Sequence, residues 1–480
     1  MHHRPLSLEL DRSSHLPLPQ QLVRALIQQI RSGALASGAP LPSSRVLAQQ
    51  LGIHRNTVTV AFDELRAEGW VETERASHTR VTRTLPLHEV APAKRSAHHL
   101  GFSVRPFENS ARHFEAVKRQ VLDFSGGLAD ARLFPSALLA RAYRRALKTE
   151  AGQALDFGDP AGSRRLREQL SVMLTERRAL QVGADQLMIT RGSQFALHLL
   201  AIALIRPGDV VAVESPGYPS AREAFTLMGA KLLPIGVDGE GLKVTELAVA
   251  LKKTPIRAVF VTPQCQDPTT VCLSARRRLQ LLELAHRHHF AIIESDADHE
   301  FQFEGPPVLP LASSDPHGVV VCVGSLSKAL APGLRLGFVA APTSLLQVLK
   351  AVRGQVDRQG DPVVENAVAE LIDDGEVLRH ALRARRIFQT RRDLLVSLLQ
   401  KHFGSQLEFE VPRAGLALWV RVHEIDVETW AENALQRGVR FFTGRSYMPS
   451  GRTVPWLRLG YAHLNESELV EAVARMKRAL

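Results

Sequence analysis

The sequence predicts an α/β protein built from two units, a small helical unit near the N-terminus and a larger unit in which strands and helices alternate. Residues 16–83 show helical hydrophobic spacing followed by two short strand-like runs, and from about residue 121 short apolar runs alternate with helical stretches. Six such apolar runs between residues 187 and 340 predict a mostly parallel sheet covered on both faces, and a smaller α+β part is expected after about residue 345. Residues 84–120 contain three prolines and no sustained periodicity. We therefore predict domains at 16–83 and 121–480, joined by a linker at 84–120.

The composition is that of an ordinary globular chain. Hydrophobic residues make up 45% and charged residues 23% of the 480 residues, which excludes a collagen, a coiled coil and a wholly disordered protein. The longest apolar stretch, residues 195–205, is too short to span a bilayer, and no apolar core follows residues 1–5. We therefore expect neither a membrane segment nor a signal peptide.

The cysteine content indicates the compartment. Cys265, Cys272 and Cys322 are an odd number, and they lack the C-x-x-C spacing of many zinc and redox sites. This usage fits a reducing environment, so we expect a cytoplasmic protein without a disulfide framework and without a bound metal.

The positive charge is concentrated near the N-terminus. The chain carries a net charge of +11, and residues 1–120, with 16 Lys/Arg and 10 Asp/Glu, contribute +6 of it. Such an asymmetry is typical of a nucleic-acid-binding N-terminal module. Charge alone does not exclude a basic surface that only keeps the protein soluble.

Residues 16–83 predict three helices and a hairpin. Leu22, Leu26 and Ile30 recur at helical spacing in the first helix, and Ser43 is suited to cap a short second helix. Gly52 supplies a turn before a third helix from about residue 54 to residue 68, and two short strands follow. This order of elements is that of a winged helix-turn-helix.

The third helix is interpreted as the recognition helix, because such helices read DNA with side chains near their N-terminus. Arg55, Asn56 and Thr57 have side chains suited to base and phosphate contacts, and Arg45 on the preceding helix can hold a phosphate. Ser44 and the wing residue Thr79 complete the candidates for DNA contact. The alternative is a three-helix packing unit with ordinary surface arginines.

The most specific motif of the large unit surrounds Lys328. It reads Gly-Ser-Leu-Ser-Lys-Ala-Leu-Ala-Pro-Gly-Leu-Arg-Leu-Gly over 324–337 and follows an apolar strand. A positioned lysine amine can form a Schiff base, and the hydroxyls of Ser325 and Ser327 with the guanidinium of Arg335 suit a dianionic phosphate. Pyridoxal phosphate (PLP) requires both features together. A lysine that merely follows a strand is more often a surface cation.

Three further segments lie in the order that such a site would need. Ser193 and Gln194 lie at a strand-to-helix turn, where backbone N–H groups favour phosphate. Tyr218 follows the next strand, where its ring could stack on a pyridine. Arg458, near the C-terminus, could bind a carboxylate in a bidentate fork.

Together these motifs resemble two known families. The sequence Leu-Pro-Ser-Ser-Arg at 41–45 with His-Arg-Asn-Thr at 54–57 resembles the GntR-type winged helix. Residues 324–337, with Asp-Phe-Gly-Asp-Pro-Ala-Gly at 156–162, resemble fold-type-I aminotransferases, and the whole chain resembles the MocR/GabR subfamily of GntR regulators. The resemblance implies that Lys328 is the PLP-binding lysine, that Tyr218 contacts the face of the cofactor ring and that Arg458 binds a carboxylate. The implied phosphate contacts are Ser193, Gln194, Ser325, Ser327 and Arg335.

The sequence departs from the subfamily where the cofactor ring is expected. The subfamily usually reads Glu-Asp-Asp-Tyr-Asp after the strand at 291–293, whereas this chain reads Glu-Ser-Asp-Ala-Asp over 294–298. The first Asp of that pattern pairs with the pyridine nitrogen, and Ser295 stands in its place. Asp296 also remains a candidate for cofactor contact, although strand alternation would require a bulge to bring it there. Asp267, which precedes the Pro-Thr-Thr that replaces the usual Pro-Thr-Gly, is a further candidate for cofactor contact, as is Ser295.

A carboxylate at the pyridine nitrogen keeps the ring protonated and makes it an electron sink. With Ser295 in that place, we expect a site better suited to sensing than to turnover. The leading hypothesis is a PLP-dependent transcriptional regulator, a homodimer that binds a double-stranded DNA operator and senses a small amine, an amino acid or PLP. The alternatives are an active aminotransferase with a DNA-binding appendage and a DNA-binding protein whose large domain is a dimerisation scaffold that binds cofactor poorly.

Overall fold

The protein is described from a computed structural model, which covers residues 8, 10–74, 78–85, 103, 121–149, 152, 155–296 and 299–480. The chain divides into two compact units, residues 1–107 and residues 108–480. Most of the predicted linker, residues 86–120 apart from Ser103, lies outside the described residues. Residues 75–77 of the predicted wing and residues 297–298 lie outside them as well.

The N-terminal unit consists of three helices and a two-stranded antiparallel sheet, as the sequence predicts. Its elements are α1 (Leu18–Arg31), α2 (Ser44–Leu51), α3 (Arg55–Ala67), β1 (Val71–Glu74) and β2 (His78–Val81). The apolar positions of the three helices and the hairpin share one core, which includes Leu26, Leu47 and Phe62. The first helix ends two residues before Gly33.

The turn between α2 and α3 is specified locally. The Ser43 hydroxyl accepts the backbone N–H of Val46 and so caps the start of α2. Gly52 ends α2 in the left-handed region, at φ +61°, where a side chain would cost energy. These two features fix the angle at which α3 leaves α2.

The large unit is organised around an eight-stranded sheet in the order β4-β11-β10-β9-β8-β5-β6-β7. Its strands are β4 (Leu187–Thr190), β5 (Val210–Ser215), β6 (Lys231–Asp238), β7 (Gly241–Leu242), β8 (Ala258–Val261), β9 (Ala291–Asp296), β10 (Val320–Ser325) and β11 (Gly337–Ala340). Its helices are α4 (Ser136–Thr149), α5 (Arg164–Arg178), α6 (Gly192–Leu204), α7 (Pro219–Leu227), α8 (Val244–Leu251), α9 (Ala275–His288), α10 (Thr343–Val356) and α11 (Pro362–Asp373).

The prediction of a mostly parallel sheet is confirmed for its centre. The five adjacent strands β10, β9, β8, β5 and β6 run parallel to one another, whereas β11 is antiparallel to both β10 and β4, and β7 is antiparallel to β6. The strand β6 was not predicted, because Pro234 and Gly236 interrupt its apolar pattern. The sheet is covered on both faces, with α6, α7 and α10 on one face and α4, α5, α8, α9 and α11 on the other.

A smaller α+β part follows the large sheet, where the sequence predicts one. It contains α12 (Glu376–Phe403), β12 (Leu407–Glu408), β13 (Ala417–Val422), α13 (Val427–Gln436), β14 (Val439–Arg440), β15 (Phe442–Thr443), β16 (Trp456–Gly460) and α14 (Glu466–Arg478). The strand order is β12-β13-β16-β15, and β3 (Leu122–Asp123) pairs with β14. In the described part of the chain, no helix combines the length and apolar character needed to cross a membrane.

Glu214, at the end of β5, is one of several carboxyl groups buried in the large unit. Glu214 is 2% exposed, and its Oε2 accepts the hydroxyl of Thr262 at 2.7 Å and the amide of Gln266 at 3.2 Å. Burial raises the pKa of Glu214 to about 7, and these hydrogen bonds offset only part of that effect. The fold therefore favours the neutral form of this side chain.

The raised pKa gives a prediction for stability against pH. A carboxyl whose pKa is raised in the fold contributes stability below its ordinary pKa of 4.5, and that contribution is lost as pH rises through about 7. Glu214→Gln stays neutral at every pH. We therefore expect the difference in unfolding free energy between Glu214→Gln and the wild type to shift in favour of the variant by about 3 kcal/mol as pH rises from 5 to 8. Urea unfolding at several pH values measures this difference. The surface variant Glu283→Gln is the control. If the unfolding free energies of Glu214→Gln and of the wild type changed with pH in the same way, the raised pKa of Glu214 would be contradicted.

Candidate functional site

A cavity lies at the edge of the large sheet where the parallel strands end, which is where ligands bind in open α/β sheets. It is lined by residues from the ends of β5, β8, β9 and β10, from the start of α6 and from β16. The lining residues are Gly126, Leu128, Ser193, Gln194, Tyr218, Thr262, Gln264, Cys265, Asp267, Ser295, Ser325, Ser327, Lys328, Arg335 and Arg458. Ten of the eleven residues predicted for cofactor or effector binding are in this set, and Asp296 is not.

One end of the cavity presents hydrogen-bond donors and positive charge. Ser193 and Gln194 lie in the first turn of α6, where unpaired backbone N–H groups give the helix end a partial positive charge. Ser325 ends β10, and the backbone N–H of Ser327 donates to its hydroxyl at 3.3 Å. This end can hold a dianion such as a phosphate.

Arg335 is held beside the first turn of α6. Its Nη2 donates to the carbonyl of Arg191 at 3.2 Å. The close approach depends on Gly337, because a Cβ there would lie 2.8 Å from the carbonyl carbon of Gly192 and 2.9 Å from the carbonyl oxygen of Gly324. The glycine at the end of the motif thus allows α6 and the two strands to bring their donors together.

The middle of the cavity is formed by Lys328 and by an aromatic wall. Lys328 lies three residues after β10 and is half-buried. Tyr218 precedes α7, and its ring stacks on Phe260 of β8 with centroids 6.3 Å apart. This packing fixes the plane of the Tyr218 ring, so that it offers one face to a flat ligand.

The alternation of side chains along β9 decides which groups reach the cavity. Ser295 lines it, while Glu294 and Asp296 lie on the opposite face of the sheet. Asp296 is 3% exposed and forms a bidentate ion pair with Arg178 of α5, at 2.9 and 3.0 Å from Nη2. Asp296 therefore does not reach the cavity, because strand β9 has no bulge that would turn it inward and Arg178 holds its carboxylate.

The same arginine orients a cavity residue that the sequence did not single out. Arg178 Nη2 donates to Gln264 Oε1 at 3.0 Å, and Gln264 lines the cavity. The Nε2 of Gln264 is buried and has no hydrogen-bond partner among the residues that the structure describes. Because Arg178 holds the oxygen, the described residues of the wall beside Ser295 present neutral donors and no carboxylate.

A small buried charge cluster surrounds the Asp296–Arg178 pair. His299 lies 3.7 Å from Asp296 and 3.2 Å from Glu300. Burial lowers the pKa of His299, but the two carboxylates raise it above its ordinary value. The pKa of Glu300 is raised by burial and lowered further by His299 and Arg177, to about 2. The two carboxylates therefore favour the protonated form of His299.

The opposite end of the cavity contains an ion pair. Arg458 of β16 is 6% exposed, and its Nη2 lies 3.3 Å from Asp267 Oδ2. The backbone of residues 126–127 covers the guanidinium, since a Cβ on Gly127 would lie 2.6 Å from its Nη2. Asp267 and Arg458 are 191 positions apart in the chain, so no local pattern could indicate their contact.

The donor set suits PLP. The cluster around Ser193 and Arg335 fits its phosphate, Lys328 fits its aldehyde and Tyr218 fits the face of its ring. Thr262, Gln264 and Cys265, in the loop that follows β8, also line the cavity. Among the described residues, no group of three His, Cys, Asp or Glu side chains is placed to hold a metal ion.

In the N-terminal unit, the predicted DNA contacts lie around the start of α3. Arg45, Arg55 and Asn56 are exposed, and Ser44 and Thr57 are half-buried. Arg55 Nε donates to the Ser44 hydroxyl at 3.4 Å, which joins the starts of α2 and α3. Thr79 is half-buried in β2. Arg12, which the sequence did not single out, is also exposed and donates to the carbonyl of Gly52 at 2.7 Å.

Comparison with known proteins identifies both units. Residues 18–81 match the gntR family of bacterial regulatory proteins, and residues 120–476 match aminotransferase class I and II. The large unit resembles LysN, the α-aminoadipate aminotransferase of Thermus thermophilus solved with N-(5'-phosphopyridoxyl)-L-leucine. The TM-score is 0.71 at 28% identity, over 75% of this chain and 92% of that one.

Relatives with both units extend over nearly the whole chain. The probable rhizopine catabolism regulatory protein MocR of Rhizobium meliloti is 30% identical, over 98% of this chain and 95% of that protein. The HTH-type transcriptional regulator TauR of Rhodobacter capsulatus is 29% identical, over 96% of each chain. This chain therefore belongs to the MocR/GabR-type regulators of the GntR family, in which a winged helix-turn-helix precedes a fold-type-I aminotransferase domain.

Proposed function

We propose that this protein is a transcriptional regulator whose winged helix binds an operator and whose aminotransferase domain binds PLP and senses a small amine or amino acid. The observation that carries the proposal is the cavity around Lys328, Ser295 and Arg458 in a chain that also has the exposed basic start of α3. Full-length relatives that are named as regulators support the same function.

DNA binding is supported by charge and exposure at one end of α3. Arg12, Arg45 and Arg55 lie around the α2–α3 turn, and the start of a helix itself favours phosphate. The side chains of Arg55 and Asn56 extend from the first turn of α3 and can reach base edges in a major groove. A homodimer would present two such helices to two half-sites.

PLP binding is supported by complementary groups along the cavity. The phosphate would be held by the first turn of α6 with Ser325, Ser327 and Arg335, and Lys328 would be the covalent attachment point. When bound, PLP supplies an aldehyde that reacts reversibly with primary amines. An amine effector can therefore bind without any net chemical turnover.

The wall beside the cofactor ring favours sensing over turnover. Ser295 and Gln264 offer neutral donors there, whereas a protonated ring nitrogen needs a carboxylate. The nearest carboxylate on β9 belongs to Asp296, which is paired with Arg178 on the other face of the sheet. The alternative of an active aminotransferase is supported by the presence of Lys328, Arg335 and Arg458.

The first prediction concerns the covalent site. Wild-type protein incubated with PLP and then reduced with borohydride should gain the mass of one pyridoxyl phosphate group per chain, and Lys328→Ala should gain none. Lys350→Ala, which removes a half-exposed lysine paired with Asp159, should behave as the wild type. Intact-mass spectrometry measures both. Wild-type protein that takes up no PLP would rule out the proposed sensor.

The second prediction concerns the recognition helix. Arg55→Ala should weaken binding to a duplex of about 30 base pairs, selected by the wild-type protein from a random pool, by about 10- to 100-fold. Arg66→Ala, near the other end of α3 and paired with Asp63 at 2.9 Å, should change affinity by less than about threefold. Fluorescence anisotropy at fixed salt measures both. Equal losses for the two variants would argue against a role specific to the start of α3.

The third prediction concerns the ring nitrogen. Ser295→Asp places a carboxylate in the cavity and should accelerate single-turnover amino transfer from an amino donor by at least about tenfold. Ser295→Asn, of the same size but neutral, should remain at the wild-type rate. Stopped-flow absorbance on PLP-loaded protein measures the step. If the wild-type protein already produced keto acid over many turnovers, the alternative of an active enzyme would be favoured.

A further inference from the structure

We propose that the effector is an aliphatic diamine and not an α-amino acid, because Asp267 already occupies the group that would bind an effector carboxylate. This inference rests on the proposed PLP site and specifies which amines it senses. The observation behind it is the 3.3 Å ion pair between Asp267 Oδ2 and Arg458 Nη2 within the cavity wall.

The ion pair changes the charge of the effector end. Lys328, Arg335 and Arg458 are the cationic lining residues, and Asp267 is the acidic one. PLP would engage Lys328 and Arg335, which leaves Arg458 and Asp267 as a neutral pair. A second carboxylate on the same guanidinium would lie close to Asp267 in a buried site, where repulsion between like charges is weakly screened.

Asp267 is held in place by its backbone. Its N–H donates to the Thr262 hydroxyl at 3.0 Å, and its carbonyl accepts the Gln266 amide at 2.9 Å. Thr262 and Gln266 are both anchored on the buried Glu214. Asp267 therefore cannot leave Arg458 through a simple shift of its loop.

Arg458 is equally confined. Its guanidinium is nearly buried, and the backbone at Gly127 packs directly against it. Confinement of both partners means that an incoming carboxylate would have to share Arg458 with Asp267. The bidentate fork expected from the sequence is thus blocked on one side by a carboxylate of the protein itself.

The second oxygen of Asp267 indicates what the ligand should offer. Asp267 Oδ1 is buried and accepts no hydrogen bond from the residues that the structure describes. A buried carboxylate oxygen without a donor is costly, and an ammonium group of the ligand would satisfy it. A diamine has one amine for the cofactor aldehyde and a second for Asp267.

The test compares matched ligands that differ only in an α-carboxylate. Full-length protein loaded with PLP is titrated with 1,4-diaminobutane against ornithine and with 1,5-diaminopentane against lysine, and binding is followed by the cofactor absorbance. We expect the diamine of at least one pair to bind at least tenfold more tightly than its amino acid. Loaded wild-type protein that binds both amino acids as tightly as their diamines overturns the inference.

A substitution identifies the group responsible. Asp267→Asn keeps the size of the side chain but removes its charge, so the amino acids should gain at least tenfold in affinity and the diamines should lose at least tenfold. Asp185→Asn, an exposed carboxylate outside the cavity, should leave the preference unchanged. An unchanged preference in loaded Asp267→Asn protein also overturns the inference.

The two proposals fail in distinguishable ways. Wild-type protein that takes up no PLP under borohydride reduction overturns the PLP sensor and this inference together. Loaded protein with the wrong ligand preference overturns only the diamine assignment, and the regulator with its PLP site remains. The comparison of ligands on the wild type needs no variant, so it decides the question even if Asp267→Asn does not fold.

Discussion

The cavity depends on the two-residue period of strand β9. Successive side chains of a strand point to opposite faces of its sheet, so Ser295 and Asp296 cannot both reach the ligand. Asp296 is directed to the face covered by α5, where Arg178 pairs with it almost out of contact with solvent. Such a pair is costly to break, because either partner alone would be a buried unpaired charge. The neutral wall at Ser295 is therefore part of the packed core and not a local surface variation.

Arg178 links that core to the cavity. By holding Asp296 and the oxygen of Gln264 at once, it removes a carboxylate from the ligand's surroundings and leaves an amide donor there. At the opposite end, Asp267 and Arg458 neutralise each other. Between α6 and β10, the hydrogen-bond donors and the positive charge of Arg335 remain suited to a phosphate dianion. On the proposed function, the cavity suits a phosphorylated aldehyde, while Ser295 stands where a carboxylate would favour amino transfer and Arg458 is already paired with Asp267.

The sequence predicted local features well and long-range contacts poorly. The three N-terminal helices, six strands of the large sheet and the small C-terminal part follow from periodicity and from turn residues, which are local signals. Strand β6 was missed because of Pro234, and the placement of Asp296 depended on a partner in α5, 118 positions away. The contact between Asp267 and Arg458 spans 191 positions and joins two motifs that were each interpreted alone. The residues that pair with Asp296 and Asp267 are not indicated by the sequence around either aspartate alone.

A sensor requires that the ligand bind two states of the protein with different affinities, because a ligand with equal affinity for both does not shift the equilibrium between them. On the proposed function, the effector end of the cavity is where that difference would arise, because its charges are balanced before the ligand arrives. An ammonium at Asp267 Oδ1 would leave a net positive charge beside Arg458 and would compete with the guanidinium for the carboxylate. Because Asp267 and Arg458 are both confined, a state of the protein that separates them would bind the diamine more tightly, whereas a neutral ligand would not distinguish the two states on this ground.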